Sequence, residues 1–345
     1  MKKTLALILA ISMSVSLFSG CGNNNEAKNK TSNKQVNNKD NESNNKTTSE
    51  NNETNREAVV INNFEQETTY EKVPDKVICL DYSMAEILAA LGLGDKIIGI
   101  EPAMNTPEEL EEEYRDIIKS KKVFEDVSLE VLLEHEPDLI LMPSYYFNMP
   151  TFGKKEDFSK AKINLYVAEG TYEKEPSVDN TYNDIENIGK IFNKEEEAKK
   201  IIEGMRAQVE AVEEKLKGIE PVSVCIYDSG TDKAFSAGGT SLENKLVEIA
   251  GGKNIFGETK YQFLQVGWEE IIQQNPKVIV VNAYGAVDDG DKKIEYLKSL
   301  PELAEVDAVK NNRFIPITLY CTRPGIQNGK AIEIFAKGLH PEAFK

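Results

Sequence analysis

The sequence runs to 345 residues, 29% of them charged, and its 58 acidic against 41 basic side chains leave a net charge of −17. That length allows about two domains of roughly 100–200 residues each, and so acidic a surface repels phosphate backbones, which argues against nucleic acid as a partner. Two histidines and four cysteines in 345 residues nearly exclude a His-rich or all-cysteine metal centre, and with them a disulfide-stapled small fold.

The first element is an export signal. Lys2 and Lys3 precede an apolar run from Leu5 to Phe18, which is short for a bilayer span and ends in small residues, as a cleaved signal does. Phe18-Ser19-Gly20-Cys21 resembles a bacterial lipobox, with Phe18 where leucine is usual. The resemblance implies that residues 1–20 are removed and that Cys21 is acylated, holding the protein on the membrane without a spanning helix. Residues 21–57 then read as the lipidated cysteine and a tether. From Gly22 to Glu57 the chain is Asn, Lys, Ser, Thr and Glu with almost no apolar side chain, which predicts disorder and a reach of roughly 30–35 Å. Asn/Lys-rich usage together with the anchor points to the extracellular face of a Gram-positive cell membrane.

From Val59 onward short β-branched runs alternate with amphipathic helical runs, the pattern of an α/β fold with mostly parallel sheets. Predicted strands are Val77–Leu80, Ile97–Ile100, Leu139–Met142 and Leu165–Val167, then Val222–Tyr227, Val278–Asn282 and Phe314–Ile317. Between the two groups lies the clearest helix, about Lys194 to Lys217. Its apolar residues Ala198, Ile201, Ile202, Met205, Val209, Val212 and Leu216 follow three/four spacing. Asn193 is expected to cap it, Glu195–Glu197 suit its positive end, and Gly218 and Pro221 stop it. The expected organisation is an N-terminal lobe over 58–192, a connecting helix over 193–218 and a C-terminal lobe over 219–345. The helix would act as a rigid strut of about 36 Å.

Two internal echoes support the division. Val127–Met142 and Val266–Val281 each read as helix, proline stop and buried strand, with the glutamate seven residues before the proline in both, Glu130 to Pro137 and Glu269 to Pro276. Ser83–Gly92 is echoed by Ser241–Gly251 with one residue inserted. These segments, with Val73–Leu80, Gly251–Phe256, Asn275–Val280 and Ala336–Phe344, resemble the substrate-binding proteins of ABC importers for iron complexes and cobalamin, the class whose lobes are joined by a single helix. The resemblance covers essentially all of 59–345. It implies two Rossmann-like lobes joined by one long rigid α-helix, a monomer that captures a metal chelate and an ABC permease dimer as its membrane partner. The protein itself needs no cofactor; its ligand carries Fe3+ or Co. It also implies that Glu130 and Glu269, one per lobe in matching first turns, meet arginines on the permease.

In open parallel sheets ligands sit beyond the carboxyl ends of the strands, which places them between two lobes. The loops there offer Asp81, Tyr82 and Ser83, then Ser144, Tyr145, Tyr146 and Phe147, then Thr171 and Tyr172. The second lobe offers Asp228, Ser229, Phe235, Ser236, Gly238, Gly239, Phe263, Trp268, Tyr284, Tyr320 and Arg323. Tyr82, Ser83, Tyr145, Tyr146, Phe147, Tyr172, Phe263, Trp268, Tyr284 and Arg323 are the preferred ligand-binding candidates, because aromatic loops suit a large, partly apolar chelate. Arg323 is one of only five arginines, and its planar fork suits a carboxylate or an anionic chelate. A ferric siderophore is the first expectation, with cobalamin, another corrinoid or haem behind it.

Cys79 and Cys225 fall inside strand patterns and read as buried thiols. Cys321 lies near the expected cleft, and a disulfide with either is left open. His135 and His340 read as structural. No Gly-x-Ser-x-Gly elbow or zinc-hydrolase helix is present, and Gly325–Ala331 misses P-loop spacing by one residue, so the chain is not expected to be an enzyme. A lipid-anchored sensor or adhesin and an extracellular hydrolase are the readings from other classes.

Overall fold

A computed structural model describes residues 57–285 and 289–345; Cys21, the signal and most of the tether lie outside the described residues. The chain opens with an antiparallel hairpin, β1 (Val59–Asn63) and β2 (Gln66–Tyr70). Its two-residue turn is Phe64-Glu65, both left-handed at φ 51° and 57°, where Asn-Gly is the usual choice. The Phe64 ring gains stacking on Phe147 at 5.4 Å and an edge contact with Tyr172 at 5.0 Å.

The first lobe continues through β3 (Val77–Leu80), α1 (Tyr82–Ala90), β4 (Ile97–Glu101), α2 (Glu112–Lys119), α3 (Leu129–Glu134), β5 (Leu139–Met142), α4 (Lys155–Lys160), β6 (Asn164–Val167) and α5 (Val178–Phe192). After α6 (Glu195–Leu216), the second lobe runs β7 (Val222–Tyr227), β8 (Ala234–Ala237), α7 (Leu242–Ile249), β9 (Gly252–Asn254), β10 (Phe263–Val266) and α8 (Trp268–Gln274). It closes with β11 (Val278–Ala283), α9 (Gly290–Ser299), α10 (Asp307–Lys310), β12 (Phe314–Thr318) and α11 (Asn328–Leu339). No described helix is long and apolar enough to cross a membrane.

Each lobe carries a four-stranded parallel sheet, in the orders β4-β3-β5-β6 and β9-β7-β11-β12. The two orders are the same once the strands are matched in chain order. The sequence echoes fall on matching pieces, α1 on α7 and α3–β5 on α8–β11. Strands β3 and β5 are buried at every residue, as expected of parallel strands covered on both faces.

Alternation along the strands sorts the cores. Ile78 and Leu80 of β3 face an outer cluster of the first lobe, and Cys225 and Tyr227 of β7 face an outer cluster of the second. Val77 and Cys79, Val224 and Ile226, and Val278 and Val280 all enter one continuous inner core, which also takes in α1, α5, α6, α7 and α11. The two lobes therefore share a core.

Helix α6 packs on α5 and on α11, burying Ala198, Met205 and Val212 at seven-residue intervals. At Gly189 of α5 an added Cβ would stand 2.6 Å from the Ala198 Cβ, so only glycine allows this approach. The start of α6 differs from expectation. Asn193 does not cap it: at φ 56° it closes α5 in the left-handed conformation, as asparagine can. Lys194 holds the N-cap position of α6 and pairs with Glu197 at 2.8 Å.

Cys79, Cys225 and Cys321 are all free and buried; Cys321 contacts Gln327 Oε1 at 3.2 Å, and the disulfide left open by the sequence does not form.

Candidate functional site

In both sheets the strand order reverses beside the first strand, between β3 and β5 and between β7 and β11. The carboxyl ends at these switch points are where ligands bind in open α/β folds. Both open onto one cavity of about 470 Å³ between the lobes, within the roughly 300–1,000 Å³ typical of small-molecule sites. The first lobe lines it with Asp81 and Ser83 after β3, Pro143–Tyr145 and Asn148 after β5, and Ala168, Gly170 and Thr171 after β6. The second lobe contributes Asp228 after β7, Phe235, Ser241–Glu243 at the start of α7, Gln262, Phe263, Tyr284 after β11, and Leu319 and Thr322–Pro324 after β12. A more open hollow of about 770 Å³, walled by Tyr172–Glu175, Thr240 and Lys260–Phe263, shares Gln262 and Phe263 with the cavity.

The first-lobe wall is built around Asp81. Its Oδ1 caps α1 by accepting from the Ser83 backbone N at 2.9 Å. Its Oδ2 takes an Arg323 Nη1 bond at 2.7 Å and a longer one from the Tyr145 hydroxyl at 3.4 Å. The ion pair joins the lobes. Both Nη atoms of Arg323 also donate to Ala103 O at 3.3 Å, and the neighbouring Asp81 carboxylate holds the guanidinium pKa above its ordinary value despite burial. Asn328 steadies the same loop by donating to Arg323 O at 2.7 Å and Cys321 O at 3.0 Å.

Behind the ion pair lies a second cross-lobe network. The Tyr320 hydroxyl donates to Glu86 Oε2 at 2.9 Å, Gln327 Nε2 reaches both Glu86 oxygens, and Glu111 N donates to Oε1 at 2.6 Å. Burial raises the Glu86 pKa, and these donors oppose the rise. Thr181 of α5 is bonded to Asn328 of α11 at 2.8 Å. These bonds fasten the Tyr320–Asn328 segment of the second lobe to the first.

The second-lobe wall holds Asp228 and Glu243. The Tyr284 hydroxyl lies 2.7 Å from both Asp228 oxygens, and Ser229 and Asn282 add donors at 3.0 and 3.4 Å. Lys293 reaches in from α9 to Asp228 O and Asn282 O at 2.5 and 2.6 Å. Glu243 Oε2 accepts from Asn282 at 3.1 Å, while its Oε1 is buried with no hydrogen-bond partner. Burial first, then the nearby Asp228 charge, pushes the Glu243 carboxyl up to about 8.

Of the residues selected from sequence, Ser83, Tyr145, Phe263, Tyr284 and Arg323 line the cavity, and Tyr172 lines the outer hollow. The other four point elsewhere. Tyr82 is buried in the inner core. Tyr146 is buried beneath Tyr145, with its hydroxyl on Glu101. Phe147 joins Phe64 and Phe152 in an aromatic cluster away from the cavity. Trp268 lies in the outer core of the second lobe beside Tyr227, its indole donating to Thr231 O at 3.1 Å. It fails to reach the cavity because α8 turns that face onto the sheet.

His135 bonds to Val131 O and His340 to Gly251 O, each at 2.9 Å, and neither lines the cavity. Asp81, Asp228, Phe235, Ser144 and Thr171, offered by the loops but not selected, do line it. Ser241, Leu242, Glu243, Gln262 and Thr322 were not foreseen. The echo marks the start of α7 but pairs Ser83 with Ser241, whereas the helices themselves match Ser83, second in α1, with Glu243, second in α7. Glu130 and Glu269 are exposed second residues of α3 and α8.

A family model described as periplasmic binding protein matches residues 77–318. An uncharacterized ABC transporter substrate-binding lipoprotein of Bacillus subtilis (strain 168) is 25% identical, over the whole of both chains. The vitamin B12-binding protein of Yersinia pseudotuberculosis is 24% identical over 65% of this chain and 75% of its own. Among solved structures, that of an ABC-type Fe3+-hydroxamate transport system from Saccharomonospora viridis superposes with a TM-score of 0.69 at 21% identity. The superposition covers 82% of this chain and 99% of the other.

Proposed function

The chain belongs to the periplasmic binding protein family, and from that premise we propose that it captures a metal chelate outside the cell and delivers it to an ABC importer. The observation that carries this reading is the convergence of both switch points on one inter-lobe cavity. Such a cavity encloses a ligand between two walls, each fixed by sheet ends, and the fused core behind it keeps the walls in register. Tyr145, Phe235, Phe263 and Tyr284 supply aromatic surface for a large, partly apolar ligand. The outer hollow gives room for the part that protrudes.

A ferric siderophore is the preferred ligand class, the iron entering as cargo inside its chelator. The likeness to the Fe3+-hydroxamate system supports this choice through its fold. A corrinoid is the second reading, favoured by the vitamin B12-binding relative. Native mass spectrometry of the purified protein with ferric siderophores, haem and corrinoids decides: a one-to-one complex with a ferric siderophore is expected. Binding of none of them overturns the reading.

Anchoring at Cys21 keeps the protein beside its permease and raises its effective concentration there. The lipoprotein relative supports this, and Cys21→Ala is expected to release the protein into the medium. Glu130 and Glu269 are read as docking groups. Two exposed carboxylates at matched sites would set the orientation of a two-lobed protein on a two-fold permease by charge pairing.

A further inference from the structure

Resting on the reading of this cavity as a chelate site, we propose that the cleft selects ligands of zero or positive net charge, and that Asp228 and Glu243 set the preference. Among the described residues, three carboxyl side chains line the cavity, Asp81, Asp228 and Glu243, against one cation, Arg323. The Arg323 charge is answered by Asp81 at 2.7 Å, so it offers an incoming anion little net attraction. Lys293, behind the second wall, spends two bonds on backbone carbonyls. Glu101 and Glu109 stand behind the first, bonded to the Tyr146 hydroxyl and the Thr106 backbone N. Among the side chains that line the cavity, carboxyls therefore outnumber cations three to one.

Glu243 separates this wall from a merely acidic surface. The side chain lines the cavity, the residue is only 5% exposed, and its Oε1 lacks any hydrogen-bond partner. An unmet buried carboxyl oxygen costs free energy that a ligand donor would recover. An N–H or cationic group of a ligand satisfies it directly. As a neutral acid, the same group donates to a ligand carbonyl. Asp228 is held in place by a hydroxyl on both oxygens, and it extends the preference for positive charge across the β7 and β11 ends. An anionic chelate would meet like charge at Asp228, which weakens its binding.

The test is calorimetric titration of the full chain with three complexes of the same metal. These are a cationic linear ferric trihydroxamate, a neutral cyclic ferric trihydroxamate and a trianionic ferric triscatecholate, with a neutral cobalamin alongside. The cationic or neutral complexes should bind at least about 100-fold more tightly than the trianion. Asp228→Asn should narrow the gap between cation and trianion by about tenfold or more. A trianion that binds as tightly as the others overturns the charge rule while leaving the chelate site standing, and so does an unchanged gap in Asp228→Asn. Failure of every ferric complex and of cobalamin to bind overturns the chelate reading, and this proposal with it. The order in the unmodified protein needs no variant to fold.

Discussion

The two lobes have the same sheet order and the same switch points, yet they present different chemistry to the space between them. On the first wall Asp81 is consumed by Arg323 and by the cap of α1. On the second, the Asp228 carboxylate takes hydroxyl and amide donors while Lys293 holds its backbone carbonyl, and Glu243 keeps one oxygen open. Matched positions show the divergence: the second residue of α1 is Ser83, and that of α7 is Glu243. Parallel sheets fix where a wall stands, whereas the residues just past the strand ends fix what it binds. The first wall carries a clamp between lobes, and the second is the one proposed to read the ligand's charge. Glu130 and Glu269 remain matched, each an exposed second residue of its helix.

That contrast can be broken in several ways. The largest effect is expected outside the cavity: Glu130→Ala with Glu269→Ala should abolish cellular uptake of the chelate while ligand affinity of the purified protein is kept. Uptake at the normal rate would remove the two carboxylates from docking.

Next comes the clamp. Arg323→Ala leaves the Asp81 carboxylate buried without its partner, a change that costs about 3–5 kcal/mol. Urea unfolding should show the loss, and adding Asp81→Asn to that variant should recover part of it. A midpoint unchanged in the single variant would show that the ion pair does not hold the lobes.

A smaller effect is expected on pH. The folded protein holds the Glu243 proton more tightly than the unfolded chain, because its pKa rises from an ordinary 4.5 to about 8. Its contribution is therefore full below about pH 4.5 and is lost as pH rises through about 8. Thermal midpoints should fall between pH 6 and 9, and Glu243→Gln should flatten that fall. Asp228, Tyr284 and Lys293 surround the same carboxyl and remain in the variant, so an identical slope would show that Glu243 does not carry the effect.

The smallest effect is lobe movement. A shared inner core and the Glu86–Tyr320–Gln327 network tie the lobes, so small-angle scattering should show little change in radius of gyration on ligand binding. A large drop would mean that these bonds break in the ligand-free protein.

Much of the fold was legible because its sheets are buried on both faces. Runs such as Val77–Leu80 and Val278–Asn282 announce themselves by continuous apolar character, and the repeat located both halves. The hairpin β1–β2 was not, since Gln66–Tyr70 is largely polar and its turn uses Phe64 and Glu65 rather than glycine or asparagine. The end of α5 was misread because asparagine serves both as an N-cap and as a left-handed stop. In the cavity, chain position identified the strand-end loops but not side-chain direction. Tyr145 faces the ligand space and Tyr146 the core, although they are adjacent and alike. Gln262 and Thr322 carry no pattern that marks them, and the echo pairs Ser83 with Ser241 rather than with Glu243.

The central claim is that both walls grip one ligand. The direct measurement is a calorimetric titration of Tyr145→Ala and Tyr284→Ala, one variant per lobe, with whichever ferric complex or corrinoid the unmodified protein binds most tightly. Each aromatic side chain supplies enclosed contact area worth about 1.4 kcal/mol or more, so each variant should lose about tenfold or more in affinity. Loss confined to one lobe, or to neither, would contradict a site built between them.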